Sequence, residues 1–371
     1  MHSIWISSDC FNAVTDRATM RIVIVGVVAG LGLFQIQANA PAFAQTATAL
    51  TGQVTSTEEG PMEGVLVSAK RTGSTITVTV VSDAQGRYSF PTAKLEPGRY
   101  ALRIRAIGYD LDGEAVADVS AQKASTLDLR LRKTEDLASQ LSNGEWLASV
   151  PGSDQQKTAL LNCIGCHTLE RVVKSSYKTD DFMQLLPRMQ GYVNQSIPAA
   201  PQLRRAERLM EERGDQRVQV YRGLADFLST INLSAGTRWP YPLKALPRLK
   251  GKSTRVVITE YDLPRETIQP HDVVVDGDGT AWYSSFGEQN LGKLDPRTGK
   301  VTEYPIALHK PGFPTGTLGL RTDRDGNLWL GNMYQARIVK FDRKTETFQF
   351  WSRPCENIFP PPKTARNLGP R

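Results

Sequence analysis

The residues Cys163-Ile164-Gly165-Cys166-His167 carry the densest chemistry in this sequence. Two thiols three positions apart, followed at once by an imidazole, suit three kinds of site. A zinc centre would need two more ligands at suitable spacing. The remaining candidates, His271, His309 and Cys355, lie far downstream in sequence of a different pattern. A dithiol redox pair would want a βαβ setting around the motif, and its surroundings read as helix. Covalent haem attachment needs two thiols one helical turn apart, to add across two vinyl groups. It also needs a histidine facing the iron from the same side, and Cys-x-x-Cys-His meets both demands within five residues. Haem c, one group per chain, is therefore the expected cofactor. Cys163 and Cys166 would be its covalent anchors and His167 its proximal iron ligand, while Gly165 lets the backbone pass close to the porphyrin edge.

The elements that must position this motif read as helices. From about Leu137 to Gly236 the runs DQQKTALLNCIGCHTLERVV, TDDFMQLLPRMQGYV, PQLRRAERLMEER and RVQVYRGLADFLSTIN place apolar residues three and four apart. Asp154 and Thr179 stand where N-caps would start the first two helices. The helix leading into the motif and the late helix VYRGLADFLSTI give residues 137–236 a resemblance to the class I cytochrome c domain. That resemblance implies that the first and last helices cross, that the domain carries single electrons, and that a methionine sulfur is the sixth iron ligand. Within residues 137–236 the methionines are Met183, Met189 and Met210. Met183 and Met210 sit in amphipathic runs and read as packing residues. Met189 ends a helix just before Gln190-Gly191-Tyr192, and is the expected distal ligand. The family's usual Met-Pro pair is absent here, and His167 is the only histidine in the segment.

The N-terminal part of the chain bears on compartment. Arg21, the apolar run Ile22 to Phe34, and the small-x-small sequence Ala42-Phe43-Ala44 read as a signal peptide over residues 1–44, cleaved after Ala44. The run is short for a membrane span; a retained signal anchor is the alternative. The residues before it do not resemble an n-region, which makes Met20 a candidate start and leaves Cys10 outside the working protein. Export, to the periplasm or beyond, suits haem c, which is attached outside the cytoplasm.

Residues 45–134 alternate apolar and polar positions over short runs bounded by Gly, Pro and Asp, the pattern of a small antiparallel sandwich. The stretch PMEGVLVSAK…VVSDAQGRYSFPTAKLEPGRYALRIRAIGY resembles the carboxypeptidase regulatory-like domain, a transthyretin-like sandwich. Gly86 and Gly98 suit turns that need positive φ. The resemblance implies a non-catalytic module for folding, spacing, or glycan or protein contact.

After a Pro- and Lys-rich linker, 237–253, the chain repeats itself. DGDGTAWYSSFGEQNLGKLDPRTGKVTEY aligns with DRDGNLWLGNMYQARIVKFDRKTETFQFW, with Trp282 and Trp329 standing 47 residues apart and Asp295 and Asp342 likewise. One unit copied at this length suits a four-stranded propeller blade. Residues 254–371 resemble the streptogramin lyase (virginiamycin B lyase) type of propeller, a family that opens depsipeptide rings by metal-assisted elimination with a histidine base. His271 and His309 are the histidines available, but the family's catalytic set does not map onto these repeats. About two blades and part of a strand at VVITEYDL are recognisable, against about four to eight in a closed propeller; the expectation is an incomplete propeller, truncated or completed by another chain, without lyase activity of its own.

The expected fold is thus multidomain: an all-β sandwich, an all-α cytochrome c domain and incomplete β-propeller blades. The expected function is one-electron transfer, with no catalytic residue assigned. A net charge of +7 favours an acidic redox partner, while no Lys/Arg cluster is dense enough to indicate nucleic acid. The rival readings are a lyase or dehydrogenase that uses the cytochrome as electron outlet, and a glycan- or protein-binding scaffold.

Overall fold

The computed structural model describes residues 47–194, 196–204 and 214–352, together with the backbone of residues 3–6. Cys10, Met20, the apolar run to Phe34, the Ala44 cleavage position, Met210 and Cys355 lie outside the described residues. Among the described residues no helix is long and apolar enough to cross a membrane.

Alternation builds the sandwich. Strands β2 (Thr48–Ser56), β3 (Gly60–Pro61), β4 (Leu66–Arg71), β5 (Ile76–Val81), β6 (Arg87–Pro91), β7 (Gly98–Arg105), β8 (Tyr109–Leu111), β9 (Ala115–Val119), β10 (Ser125–Thr126) and β11 (Leu129–Lys133) form its two sheets. Tyr88 and Phe90 of β6, Leu102 of β7 and Leu129 and Leu131 of β11 turn inward to one apolar core, while their neighbours face solvent. Gly86 and Gly98 have φ of 72° and 152°. At Gly86 the turn closes as the Asp83 carboxylate accepts the N–H groups of Gln85 and Arg87 at 2.9 and 2.8 Å. The sandwich is not purely antiparallel: β10 and β11 both run parallel to β2. The first and last strands of the module lie side by side, and the intervening chain is long enough for the crossover that parallel pairing needs.

One sheet extends beyond the module: two further strands, β1 (Ser3–Ile6) and β12 (Val257–Asp262), give it the order β1-β12-β5-β4-β7-β9. Strand β12 (Val257–Asp262), the VVITEYDL run expected with the blades, pairs antiparallel with β5 of the sandwich. It covers an apolar edge that would otherwise be open, and β1 (Ser3–Ile6) pairs with its far side. Tyr261 of β12 still touches the first blade, donating from its hydroxyl to Pro296 O at 2.9 Å.

Among the described residues six α-helices follow the sandwich: α1 (Leu137–Gln140), α2 (Asn143–Ser149), α3 (Asp154–Ile164), α4 (Glu170–Val173), α5 (Thr179–Gln190) and α6 (Gly214–Ile231). They enclose a second core of Trp146, Leu160, Leu169, Phe182, Leu186, Leu228 and Ile231. Two caps differ from expectation by one residue. Ser153, not Asp154, caps α3: its Oγ accepts from Gln156 N at 3.3 Å, and Gln156 Oε1 accepts from Ser153 N at 2.9 Å, a capping box. Thr179 is the first helical residue of α5 and donates its hydroxyl to Asp226 of α6 at 3.0 Å. Residues 201–204, expected as the start of a helix, instead close a loop through bridges between Tyr192 and Leu203 and between Ile197 and Ala200; the rest of that run, 205–213, lies outside the described residues.

The segment 237–253 is irregular, as its lack of period predicts, yet it is strapped down along its length. Trp239 and Tyr241 pack on the helical core and donate to Val173 O and Ile231 O. Lys244 N donates to Ser149 Oγ at 2.8 Å. Arg248 then reaches the sandwich, donating to Glu63 O at 2.9 Å and pairing with the Glu59 carboxylate. Arg248, helped by the Tyr109 hydroxyl and Lys133, holds the Glu59 carboxyl down to about 2. Glu59 therefore contributes stability fully above the ordinary carboxylate range, near 4.5, and that contribution disappears as pH falls toward 2. Comparing Glu59→Gln with the parent by urea denaturation at pH 7 and at pH 2.5 is expected to show the variant weaker by up to about 1 kcal/mol at pH 7, since the pair is half-exposed, and the gap closing in acid.

The repeat is realised as two four-stranded antiparallel sheets. One comprises β13 (Pro270–Val275), β14 (Ala281–Ser285), β15 (Asn290–Leu294) and β16 (Val301–Pro305); the other β17 (Leu320–Thr322), β18 (Leu328–Asn332), β19 (Arg337–Asp342) and β20 (Thr347–Ser352). The copied residues make copied bonds. Trp282 Nε1 donates to Asp276 and Trp329 Nε1 to Asp323, both at 2.8 Å. Asp295 and Asp342 each accept a turn N–H at 2.9 Å, from Arg297 and Lys344. One apolar cluster, including Trp282, Ile306, Leu320, Leu330 and Phe341, spans both sheets.

Candidate functional site

The motif forms the end of α3. Cys163 occupies the last turn, Gly165 follows as the C-cap, and the N–H groups of Cys166 and His167 both close on Cys163 O at 3.3 Å. Cys163, Cys166 and His167 thus share one turn of backbone. Both cysteines are free thiols and half-buried. Burial pushes the Cys163 thiol up to about 11, with Cys166 adding to the effect. The Nδ1 of His167 lies 2.9 Å from Thr168 O. A backbone carbonyl on Nδ1 fixes the tautomer with its proton there and leaves Nε2 as a free donor for a metal. A Cβ at Gly165 would meet Asn162 O at 4.0 Å, an ordinary contact.

Two unpaired thiols on one turn and an imidazole with a carbonyl on its far nitrogen are the residues a haem c would need. Zinc does not fit as well, because among the described residues no three His, Cys, Asp or Glu come together as a metal site.

The helices around the motif pack as a unit. α6 contacts α3, α4 and α5, and Asn232 at its end donates to Ser175 Oγ and Tyr177 O at 3.0 and 2.8 Å. The methionines differ in role. Met183 packs against the helical core, whereas Met189, half-buried on the last turn of α5, does not join that cluster. Beyond Met189 the chain turns at Gly191 and is held there by Arg204, whose N–H donates to Gly191 O at 2.8 Å and whose Nε donates to Tyr192 O at 2.6 Å.

The two histidines of the blades have separate partners. His271 Nδ1 lies 2.8 Å from Asp272 Oδ1, and its ring stacks on Phe286. His309 Nε2 lies 3.3 Å from Ser352 Oγ, and its backbone N–H donates to the buried Gln335. Asp272 also accepts from Leu320 N and Arg321, and these bonds hold its carboxyl below the usual carboxylate range.

The sequence motifs missed Gln202. Its amide spans the helical segment and the first blade, donating to Gly287 O at 3.3 Å and accepting from Thr315 N at 2.6 Å. A single glutamine in an irregular loop carries no pattern that could have marked it.

A sandwich, a helical segment bearing a free Cys-x-x-Cys-His turn, and two blade-like sheets are thus joined in one chain. Residues 49–132, the span of the sandwich, match the carboxypeptidase regulatory-like domain family. No curated protein matches the chain. Among solved structures, the chain is similar to virginiamycin B lyase from Staphylococcus aureus at 22% identity over 26% of this chain and 31% of that one, with a TM-score of 0.23. It is similar to a streptogramin B lyase at 25% identity over 28% and 32%, TM-score 0.24, and to the Bacillus anthracis TIE protein at 16% identity over 24% and 16%, TM-score 0.20. The chain spans about a third or less of the length of each of these structures.

Proposed function

We propose that the chain is an exported c-type cytochrome that carries single electrons on one covalently held haem. The observation that supports this most directly is the turn ending α3, whose backbone carries Cys163, Cys166 and His167 and where Thr168 O lies 2.9 Å from His167 Nδ1. A haem held there supplies one-electron redox chemistry. Cys163 and Cys166 would anchor it, His167 would be the proximal ligand, and Met189 the distal one. The protein's part is to orient the imidazole, to exclude water with the apolar helical core, and to set the potential; a thioether ligand raises it relative to a second histidine. The net charge of +7 would steer the chain toward an acidic redox partner in weak, salt-sensitive encounters.

One observation favours a second reading, an enzyme borne by the blades with the helical segment as electron outlet: Gln202 ties the two parts together. Turnover of a substrate coupled to haem reduction separates this reading from a plain carrier.

Exported with a haem c maturation system, the protein is expected to show sharp α and β bands on reduction. Folded protein with no Soret band would contradict the proposal. Met189→Ala is expected to keep the haem but lower its reduction potential, because water or an open site replaces the sulfur; a redox titration with an unchanged potential would remove Met189 from the ligand set.

A further inference from the structure

The repeat carries one face of each blade from sequence into space. On the first blade Leu291 lies across from Tyr304, and Trp282 across from Lys293. At the same offset on the second blade, Ile338 lies across from Trp351, and Trp329 across from Lys340. The contacts repeat as well. Trp282 stacks on Tyr304 with centroids 5.8 Å apart and planes at 27°, and Trp329 on Trp351 at 5.1 Å and 25°. Lys293 sits over the Trp282 ring at 5.1 Å, and Lys340 over the Trp329 ring at 5.7 Å.

The surroundings of the two faces do not repeat. Leu291 is fully buried, yet its counterpart Ile338 is 54% exposed and the neighbouring Trp351 46%. The difference is the cover. On the first blade Phe341 lies 5.6 Å from Trp282 and 4.7 Å from Tyr304, and Leu320, Leu330 and Val339 of the second blade join the same apolar cluster as Leu291. The equivalent face of the second blade presents a stacked tryptophan pair and an isoleucine to water, apolar surface that association would bury.

We propose that this face of the second blade, Trp329, Ile338 and Trp351, docks on the same face of a second copy of the chain. Two observations choose that occupant. The first blade shows what such a face takes: an aromatic ring over its aromatic pair and aliphatic side chains over its Leu291. A second copy brings an aromatic pair and an isoleucine, which is the same chemistry. The other way for copies to meet, second blade on first blade, is closed. The reverse face of the first blade, Ala281, Tyr283 and Leu294, is already packed against Tyr261, Leu263 and Ile268. The contact is therefore isologous and closes at a dimer. It needs no haem.

The test is sedimentation equilibrium of the full-length protein, with reductant present so that Cys355 cannot link two chains. The parent is expected to be a dimer at about 100 µM, and Ile338→Glu and Trp351→Glu are each expected to weaken it by about tenfold or more. Val275→Glu, at an equally exposed apolar residue of the first blade, is expected to leave the dimer as it is. Both interface side chains are exposed in the single chain, so the variants keep the fold; circular dichroism and the melting temperature check this. A parent that stays monomeric overturns the proposal, as does a dimer that both variants leave intact, or association that runs on past two chains. If the monomeric parent loses hydrogen-exchange protection at β20 when residues 353–371 are removed, that segment covers the face in place of a second copy.

Discussion

Protein exported with both Cys163→Ala and Cys166→Ala is expected to carry no haem that survives denaturation, while the parent carries one haem per chain. The expectation follows from the turn that ends α3. Its two thiols are the only described cysteines and are unpaired, and both lie on one turn with His167. Thioether bonds to the two vinyl groups have no other source there. His167 remains in the double variant, so haem bound through the imidazole alone would be extractable by acid and solvent. The fold is expected to persist in haem-free form, because Cys163 only flanks the helical core and the sandwich core lies elsewhere. Far-ultraviolet circular dichroism checks the second half of this result and a haem stain of a denaturing gel checks the first. Retained covalent haem would place the attachment outside this motif.

The largest effect on stability is expected at Trp146. Its side chain is fully buried and lies 5.3 Å from Trp239, at 55° between the rings. The contact pins the strap 237–253 onto the helices, and the strap in turn anchors at Glu59 and Glu63 of the sandwich. Trp146→Ala removes the largest core residue of the helical segment and loosens the strap with it, a loss of about 3–5 kcal/mol. Trp146→Phe is expected to cost less: it keeps a ring in the site and removes an indole N–H that has no protein partner. Guanidinium denaturation of the two variants checks this. A cost under about 1 kcal/mol for the alanine variant would mean that the strap, not the tryptophan, closes the helical core.

Much of the architecture was legible because its periods are strong. The alternation that places Tyr88, Phe90 and Leu102 inward is plain in GRYSF and GRYALRIR. The 47-residue offset returns in space as the same Trp–Asp bond at Trp282 and Trp329. The Cys-x-x-Cys-His run was legible as one turn, since its backbone geometry is local. What pattern does not reveal is assignment across distance. VITEYD reads as a strand anywhere, and only the apolar open edge of β5 decides that β12 joins the sandwich. The strap has no period, and only its Trp239 and Tyr241, half-buried against the helices, show how it is held. Ser153 was passed over for its neighbour Asp154 because both are good caps, and the side chain of Gln156 decides between them. The contact of Gln202 with Thr315 joins loops 113 residues apart and leaves no local trace.

The most direct measurement is the intact mass of the exported protein under denaturing conditions. The account predicts a chain heavier by one haem, the increment lost in the double cysteine variant. A mass equal to the polypeptide alone, from protein that is folded and was produced with haem c maturation in place, would contradict it.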